Sequence, residues 1–468
     1  MTNKTKYTHR AIARVIIEAA SPIAIGTGEK NILTDSPVAT DIYGLPYIPG
    51  SSLAGVLRHA LGYSDENNAQ NPFGYQDSKG GHGSYLIFSD AVMIGKDGKA
   101  MDGLMDELKN DIDWDNDFYK ALRELPIRQH ANLNDFGTVS DTGKFDNAVA
   151  LKGTRFVFEV EMPFGDEGTP SFDDFKDMLR KLSSKTLRIG SGAHNGLGEL
   201  EVIKCQCVNL DLSQPDDLEA YLNKSSKLSV NDPFIKDAKD FKETDDTNTQ
   251  AMHYELTLHP DSFFLFGSGV GDDEADMTPA TENIIIWDAN DKPSIKEERQ
   301  LLIPATSIKG AIAHRTAYHY NRLTKRFAET KTGKTGDENE AVSAIFGRGG
   351  DKPEEIKAGK IFMSDLLEEK PEETVLNHVA IDRFTGGAID GALFQEKVSV
   401  GIGKKYTIHI YLPEKVSDED NDKIIEAFEA ALKDICRGLL PLGGGVNRGN
   451  GMFTGTLTKN DKEIYSYE

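Results

Sequence analysis

Two acidic loops, two helix starts and two glycine-rich loops carry the residues of this 468-residue chain whose types and spacing suit chemistry on phosphates. Asp35 and Asp41 flank "SPVAT", and placing Asp41 opposite Asp288 in "TENIIIWD" sets Glu282 opposite Asp35. A carboxylate so placed suits magnesium, which binds through one or two carboxylates plus substrate phosphate oxygens. Aspartate before Ser-Pro is also an ordinary turn former. The run "GDDEADM", Gly271 to Met277, reads as a solvated loop.

The glycine loops hold Gly190, Gly192, Gly196 and Gly198 in one half, and Gly443, Gly444, Gly445, Gly449 and Gly451 in the other. Such loops let backbone amides approach a phosphate. Polar residues are inserted into both, His194-Asn195 and Asn447-Arg448. Strand-like sequence follows each loop, which excludes a dinucleotide fold, and no G-x-x-x-x-G-K-[ST] occurs. Upstream, "IPGSSLAG" and "IPATSIKG" each open a helix. Free amides and the positive dipole end there suit phosphate, with Ser51, Ser52, Thr306 and Ser307 as caps and hydroxyl donors. Lys309 stands at the second helix start, with Arg315 and Arg58 one to two turns in, and cations beside two matched helix starts suit a repeating phosphodiester. Gly55 and Gly310 are costly at mid-helix and mark a close approach by backbone or ligand. His59, His130, His194 and His314 suit acid–base work. No Ser-His-Asp or Cys-His order accompanies them.

The elements that must position these residues are written twice. "SPIAIGTG" returns as "SFFLFGSG", "YIPGSSLAGVLRHA" as "LIPATSIKGAIAHR", "LIFSD" as "IFMSD", and "LRIGSGAHNGLGEL" as "LPLGGGVNRGNGMF", all in one order. A duplicated domain explains this. Units at 1–212 and 251–468 are expected, joined by an acidic, exposed linker at 213–250. Each copy alternates strand and helix patterns, with helices near Asp173 to Leu182 and Asp418 to Leu432, so the fold class is α+β: two tandem ferredoxin-like βαββαβ domains.

Acidic residues outnumber basic ones by 23, so a polyanionic partner needs local contacts rather than overall charge. The three cysteines, Cys205, Cys207 and Cys436, have no zinc-finger spacing and suit a reducing compartment. No apolar run is long enough to span a bilayer, and the start lacks an export signal, so a cytoplasmic chain without membrane attachment is expected.

Together, "TDSPVATD…GLPYIPGSSLAGVLRHAL", "FSD" after "FG", and "LRIGSGAHNGLGEL" resemble the repeat-associated mysterious protein (RAMP) superfamily. More narrowly, they resemble the backbone subunit of type III CRISPR effector complexes, in the fused double form of type III-D-like systems. The resemblance implies modified RNA-recognition folds that grip guide RNA and kink it with inserted β-thumbs. Thumbs are expected at Arg128 to Lys152 and Asp382 to Lys397, bringing Arg128, His130 and Arg383 to RNA. Ser51, Ser52, Arg58, His59, His194, Asn195, Thr306, Ser307, Lys309, Arg315, Asn447 and Arg448 would complete the RNA contacts. Asp35 would bind a divalent metal, Mg2+, and cut target RNA to a cyclic phosphate and a 5′-hydroxyl. Glu282 departs from that pattern, so the second unit is expected to hold without cutting. Guide RNA, target RNA and other RAMP-type subunits are the implied partners. A non-catalytic scaffold and a metal-independent guide-processing RNase working through His59 are the alternatives.

Overall fold

The structure, a computed structural model, describes residues 7–30, 34–63, 70–78, 80–103, 112–133, 139–165, 168–230, 239–240, 251–326, 333–350 and 352–467. The first unit is built on β1 (His9–Ala19), α1 (Gly50–Ala60), β2 (Ile87–Phe88), a projecting hairpin of β3 (Ile127–Leu133) and β4 (Val139–Ala148), then β5 (Arg155–Phe164), α2 (Phe172–Lys181) and β6 (Leu200–Asp211). Its sheet runs β6-β1-β5-β2, all antiparallel. With the hairpin set aside, this is the βαββαβ order of a ferredoxin-like domain. Alternation along β5 turns Phe156, Phe158, Val160 and Met162 inward, onto Leu53 and Leu57 of α1 and Phe175, Met178 and Leu179 of α2.

The second unit repeats this plan. It has β7 (Ala251–Pro260), α4 (Ala305–Leu323), β8 (Phe362–Met363), the hairpin of β9 (Glu373–Ile381) and β10 (Ala388–Val400), β11 (Tyr406–Pro413), α5 (Asn421–Cys436), β12 (Phe453–Lys459) and an added edge strand β13 (Lys462–Ser466). The sheet order β8-β11-β7-β12-β13 matches the first unit, plus β13. Tyr254, Leu256 and Leu258 alternate into a separate core with Ile308, Ile312, Phe428 and Leu432. The second hairpin begins at Glu373 rather than Asp382, which lies at its tip; a run of small and polar residues there masks the strand before it.

Residues 213–230 are not a loose connection. Pro215–Leu222 forms α3, which straps the outer face of the first sheet. That face carries Arg10, Arg14, Glu159 and Glu161, charges that need partners. Tyr221 donates to Glu161 at 2.7 Å, Lys224 pairs with Glu159 at 2.5 Å, and Arg14 donates to the Val230 carbonyl at 2.7 Å. Residues 231–238 and 241–250 of the expected linker lie outside the described residues.

The units interlock. Ile285–Trp287, from the second half, packs into the first core: Ile285 is 5 % exposed there and Trp287 Nε1 donates to the Gly153 carbonyl at 2.7 Å. Gly153 has φ +87°, and a Cβ on it would lie 2.1 Å from the Ile285 carbonyl, so only glycine admits this approach. Arg155 stacks over Trp287 at 4.1 Å and pairs with Asp291 at 2.9 Å. Among the described residues, no helix is long and apolar enough to cross a membrane.

Candidate nucleic-acid interface

The two helix starts are capped by neither serine nor threonine. Pro49 and Pro304 occupy the N-cap positions, and neither supplies a side-chain acceptor. The first helical amides go instead to the aspartates of the repeated Ser-Asp pair: Gly50 N–H to Asp90 Oδ1 at 2.8 Å, and Ala305 N–H to Asp365 Oδ1 at 2.7 Å. A carboxylate of the chain thus already holds the positive end of each helix. Ser51 and Ser307 are exposed, and Ser52 and Thr306 are half-buried. Their expected capping role is replaced, while their hydroxyls stay beside the helix start. Arg58 is half-buried and His59 exposed in the last turn of α1. Arg315 turns to the other helix of its unit, donating to the buried Asp434 at 2.6 Å with its guanidinium over Tyr318. It supports α4 against α5 and does not serve the helix start.

The first glycine loop is docked on the second unit rather than open to solvent. Gly196 bridges Ser364, and Asp365 N–H donates to the Gly196 carbonyl at 3.2 Å. A Cβ on Gly196, at φ +100°, would fall 2.3 Å from Asp365 Oδ1. His194 places Nδ1 2.9 Å from the Ile361 carbonyl and packs on Phe362; burial pushes its pKa below 6.5. It is a neutral interface residue at neutral pH, not the RNA contact expected. Lys309 donates to Asn195 at 3.1 Å across the same junction. Arg188, Ser364 and Glu199 close it, with Arg188 3.4 Å from Glu199. Burial disfavours the Glu199 charge, but Arg188, Ser364 and Lys185 outweigh it and hold its pKa below 4.5.

Arg128 corrects the sequence reading most sharply. It leaves the base of the first hairpin, grips Glu282 with Nε at 2.5 Å and Nη2 at 2.7 Å, and pairs with Asp365. Its side chain is 10 % exposed, Glu282 5 % and Asp365 1 %. Three buried charges satisfying one another leave no arm for RNA. Glu282 is equally unavailable to a metal.

The hydrogen-bond register also shifts the match between the acidic loops. Gly26 bridges Val38 as Gly267 bridges Pro279. Ala39 N–H donates to Ile25, and Ala280 N–H to Phe266, both at 2.7 Å. Asp276 is therefore the counterpart of Asp35, and Glu282 that of Asp41. Asp41 is a turn former whose carboxylate accepts the amides of Tyr43 and Leu45 at 2.8 and 2.9 Å. Asp288 takes the amides of Asn290 and Lys292 in the same manner. The supposed solvated loop thus contains the second carboxylate. Its one signal in sequence is distance from the shared Gly-Ser-Gly and Gly-Thr-Gly turns; the displaced proline, Pro37 against Pro279, conceals it.

Both aspartates are exposed and tied to the root of a hairpin. Asp35 N–H donates to Asp146 Oδ1 at 2.7 Å, and Asp146 N–H reaches Asp35 Oδ2 at 3.4 Å. In the second unit, Asp276 N–H donates to the Gln395 carbonyl at 3.0 Å and Gln395 N–H to Asp276 Oδ2 at 2.8 Å. One step along, Ala148 N–H binds Ser36 and Lys397 N–H binds Met277. Beside each carboxylate a histidine stacks on a phenylalanine: His130 on Phe145 at 4.9 Å, and His378 on Phe394 at 4.8 Å. His130 Nε2 lies 2.6 Å from Asn147 Oδ1, whereas His378 Nε2 lies 2.9 Å from Glu396, which also pairs with Arg448. Sequence reasoning reached His130 and Arg448 but not Asp146, Asp276, His378, Phe394 or Glu396.

The donor set around Asp35 fits a hard divalent cation. Its carboxylate is 48 % exposed, and Lys30 holds one oxygen at 3.2 Å. Asp146 is kept anionic by the Asp35 amide and the Thr34 hydroxyl, which pull its pKa below 3.8. One or two carboxylates facing solvent suit Mg2+ completed by phosphate oxygens and water. In the second unit Lys397 holds Asp272 at 2.5 Å and Glu274 at 2.7 Å, leaving Asp276 as the exposed carboxylate at the hairpin root. Arg383 at the second hairpin tip and Asn447 in the second glycine loop are exposed and open to a ligand. Burial pushes the thiols of Cys207 and Cys436 up to about 12, so neither is a nucleophile at neutral pH.

A family model described as the RAMP superfamily matches residues 16–201 and 289–454, one match in each unit. No curated protein matches the chain.

Proposed function

The chain belongs to the RAMP superfamily as a fused pair of units, a CRISPR-associated RNA-binding subunit, and from that premise we propose that it is a guide-RNA-holding backbone subunit of a type III effector complex that also cuts target RNA. The observation carrying the cleavage is the recurrence, at the root of both hairpins, of an exposed aspartate beside a stacked His–Phe pair. A residue kept for turn geometry alone has no need of a projecting hairpin and an open carboxylate in both copies.

In this reading the hairpin displaces one target nucleotide, so that its 2′-hydroxyl lines up with the adjoining phosphate. Attack breaks the bond to the 5′-oxygen, leaving a cyclic phosphate and a 5′-hydroxyl. A divalent cation on Asp35 or Asp276 would neutralise charge developing on the phosphate. Asp146 and the Gln395 amide hold those carboxylates in place. Backbone amides, helix-start hydroxyls and exposed Arg383 and Asn447 meet the guide without reading its sequence, which the acidic outer surface permits.

Other RAMP-type subunits fit the ends of the molecule. Ile87 is 60 % exposed and Asp90 is exposed, whereas their counterparts Phe362 and Asp365 are covered by the first glycine loop. The second glycine loop, with Val446 43 % exposed, has no such seat among the described residues.

The test is labelled target RNA with the complex reconstituted around wild type, Asp35→Ala, Asp276→Ala and the double variant. Each single change is expected to erase one set of cuts, and EDTA to erase both. Undiminished cutting by the double variant overturns the catalytic assignment and leaves a scaffold; EDTA-insensitive cutting overturns the metal.

A further inference from the structure

The outer face of the second sheet carries two imidazoles and a carboxylate that neither the fold nor the RNA reading uses. Along β7, Tyr254, Leu256 and Leu258 point into the core, so His253 and Glu255 point out; along β11, Ile408 and Ile410 point in and His409 out. Glu255 faces His409 and His253 faces Tyr411 across the strand pair. His253 Nε2 lies 3.1 Å from His409 Nδ1, which lies 3.6 Å from Glu255 Oε2, and the three donor atoms fall within 4.8 Å of one another.

Those spacings match a coordination shell. Zinc holds imidazole nitrogen at about 2.0–2.1 Å and carboxylate oxygen at about 2.0–2.2 Å, which sets tetrahedral donors roughly 3.2–3.5 Å apart. Two edges, 3.1 and 3.6 Å, bracket that range and the third lies within 4.8 Å, so side-chain rotation brings all three donors onto one ion. The cluster is also held in advance. His253 stacks flat on Tyr411, at 4.8 Å and 12°, and its backbone amide donates to Asn460 Oδ1 at 2.9 Å. Imidazoles on adjacent strands of a sheet lose little further freedom on binding.

The first unit shows what these positions hold when they serve structure alone. Ile12, Arg14 and Glu159 stand at the places of His253, Glu255 and His409. There Arg14 pairs with Glu159 at 3.0 Å, Lys224 adds a second cation, and the 213–230 strap closes over them. In the second unit Glu255 is 36 % and His409 47 % exposed, which leaves room for water at a further position.

We propose that His253, Glu255 and His409 form a binding site for one divalent transition-metal ion of the zinc class, with a coordination position open to water. Two imidazoles with one carboxylate favour such an ion over magnesium, which takes oxygen donors. The site shares no residue with the hairpin-root aspartates and does not depend on the RNA reading.

The test titrates ZnCl2 into the EDTA-treated, dialysed full chain by calorimetry, with CoCl2 as a spectroscopic probe. Wild type and the Asp35→Ala/Asp276→Ala variant are expected to take up one Zn2+ per chain and to give the strong visible absorption of four-coordinate Co2+. His253→Gln and His409→Gln should each weaken that uptake by about a hundredfold or more while melting like wild type in EDTA; Glu255→Gln provides a third probe should either misfold. Absence of stoichiometric uptake by wild type, or uptake unchanged in His409→Gln, overturns the proposal.

Discussion

The Ser-Asp pair that ends the second strand of each unit has the same job and two different surroundings. Asp90 and Asp365 both hold the first amide of the following helix, at 2.8 and 2.7 Å. Asp90 is exposed; Asp365 is buried under Gly196 and Arg128, both supplied by the first unit. A head-to-tail contact covers one face of each partner and leaves the other faces bare, and such contacts continue into chains of subunits unless something stops them. Among the described residues, exposed Ile87 and Asp90 of the first unit and exposed Val446 of the second glycine loop lie outside that contact. Duplication therefore fixed one joint inside the chain. The units differ at the joint and on the outer sheet faces, while each hairpin root holds an exposed aspartate through its own amide and carboxylate.

The largest effect tests that likeness. If the hairpin roots are equivalent centres, exchanging Asp35 or Asp276 for asparagine should lower cutting at its own set of sites by roughly a hundredfold or more, since displacement of a reacting group by about an ångström already costs that much. Gel mapping of end-labelled target in the assembled complex reads both sets in one lane. Loss confined to the Asp35 set would restore the asymmetry that the Glu282 alignment suggested.

The next test breaks the joint. Arg128→Ala strands Glu282 and Asp365 as buried, unpaired carboxylates and should cost about 3–5 kcal/mol in urea unfolding of the free chain. Arg383, in the corresponding hairpin but exposed, should change stability by less than about 0.5 kcal/mol when cut to alanine. Equal, small effects would mean that Arg128 is not the clamp its contacts indicate.

Acid should loosen the same joint from its other side. Glu199 sits below its ordinary value of 4.5 when folded, because Arg188, Ser364 and Lys185 outweigh the cost of its burial. A carboxylate with a depressed folded pKa stabilises the fold above its unfolded value, and that contribution drains away as pH falls through the folded one. The stability gap between wild type and Glu199→Gln should thus be flat from pH 7 to about 5 and shrink below 4.5. A gap that widens on acidification would reverse the sign and exclude the assignment.

The sequence carried the fold well because repetition doubled every local signal. The Leu53 and Leu57 stripe, the proline before each helix and the glycine-dense turns recur in order, and the βαββαβ plan follows. What it hid depends on long-range register. Asp276 is found by the bridge between Gly267 and Pro279, not by any motif, because the loop keeps its length while its residues change and the proline moves by one position. Arg128 looked free because its partners, Glu282 and Asp365, are 154 and 237 residues away in sequence. The aspartate caps end the repeated "LIFSD" and "IFMSD", but local sequence does not reveal their role, since the amides they hold lie 40 and 60 residues upstream.

The smallest effect concerns a second exposed feature that the two units share, a glycine in each first helix. Gly55 and Gly310 stand at matching places on the outer faces of α1 and α4, and a Cβ built on either meets nothing within 4 Å. No neighbour among the described residues explains them, although a helical glycine costs about 0.8–1 kcal/mol relative to alanine. Alanine at either position should therefore stabilise the free chain by up to about 1 kcal/mol, seen as a modest rise in melting temperature. If RNA backbone or an adjoining subunit lies against these helices, the added methyl group should weaken guide binding or assembly even as the free chain grows more stable. Opposite signs in the two measurements identify a contact surface. A rise in stability with unchanged RNA binding and assembly would show that both helix faces remain in solvent in the complex, and would confine the guide to the hairpin roots, the helix starts and the second glycine loop.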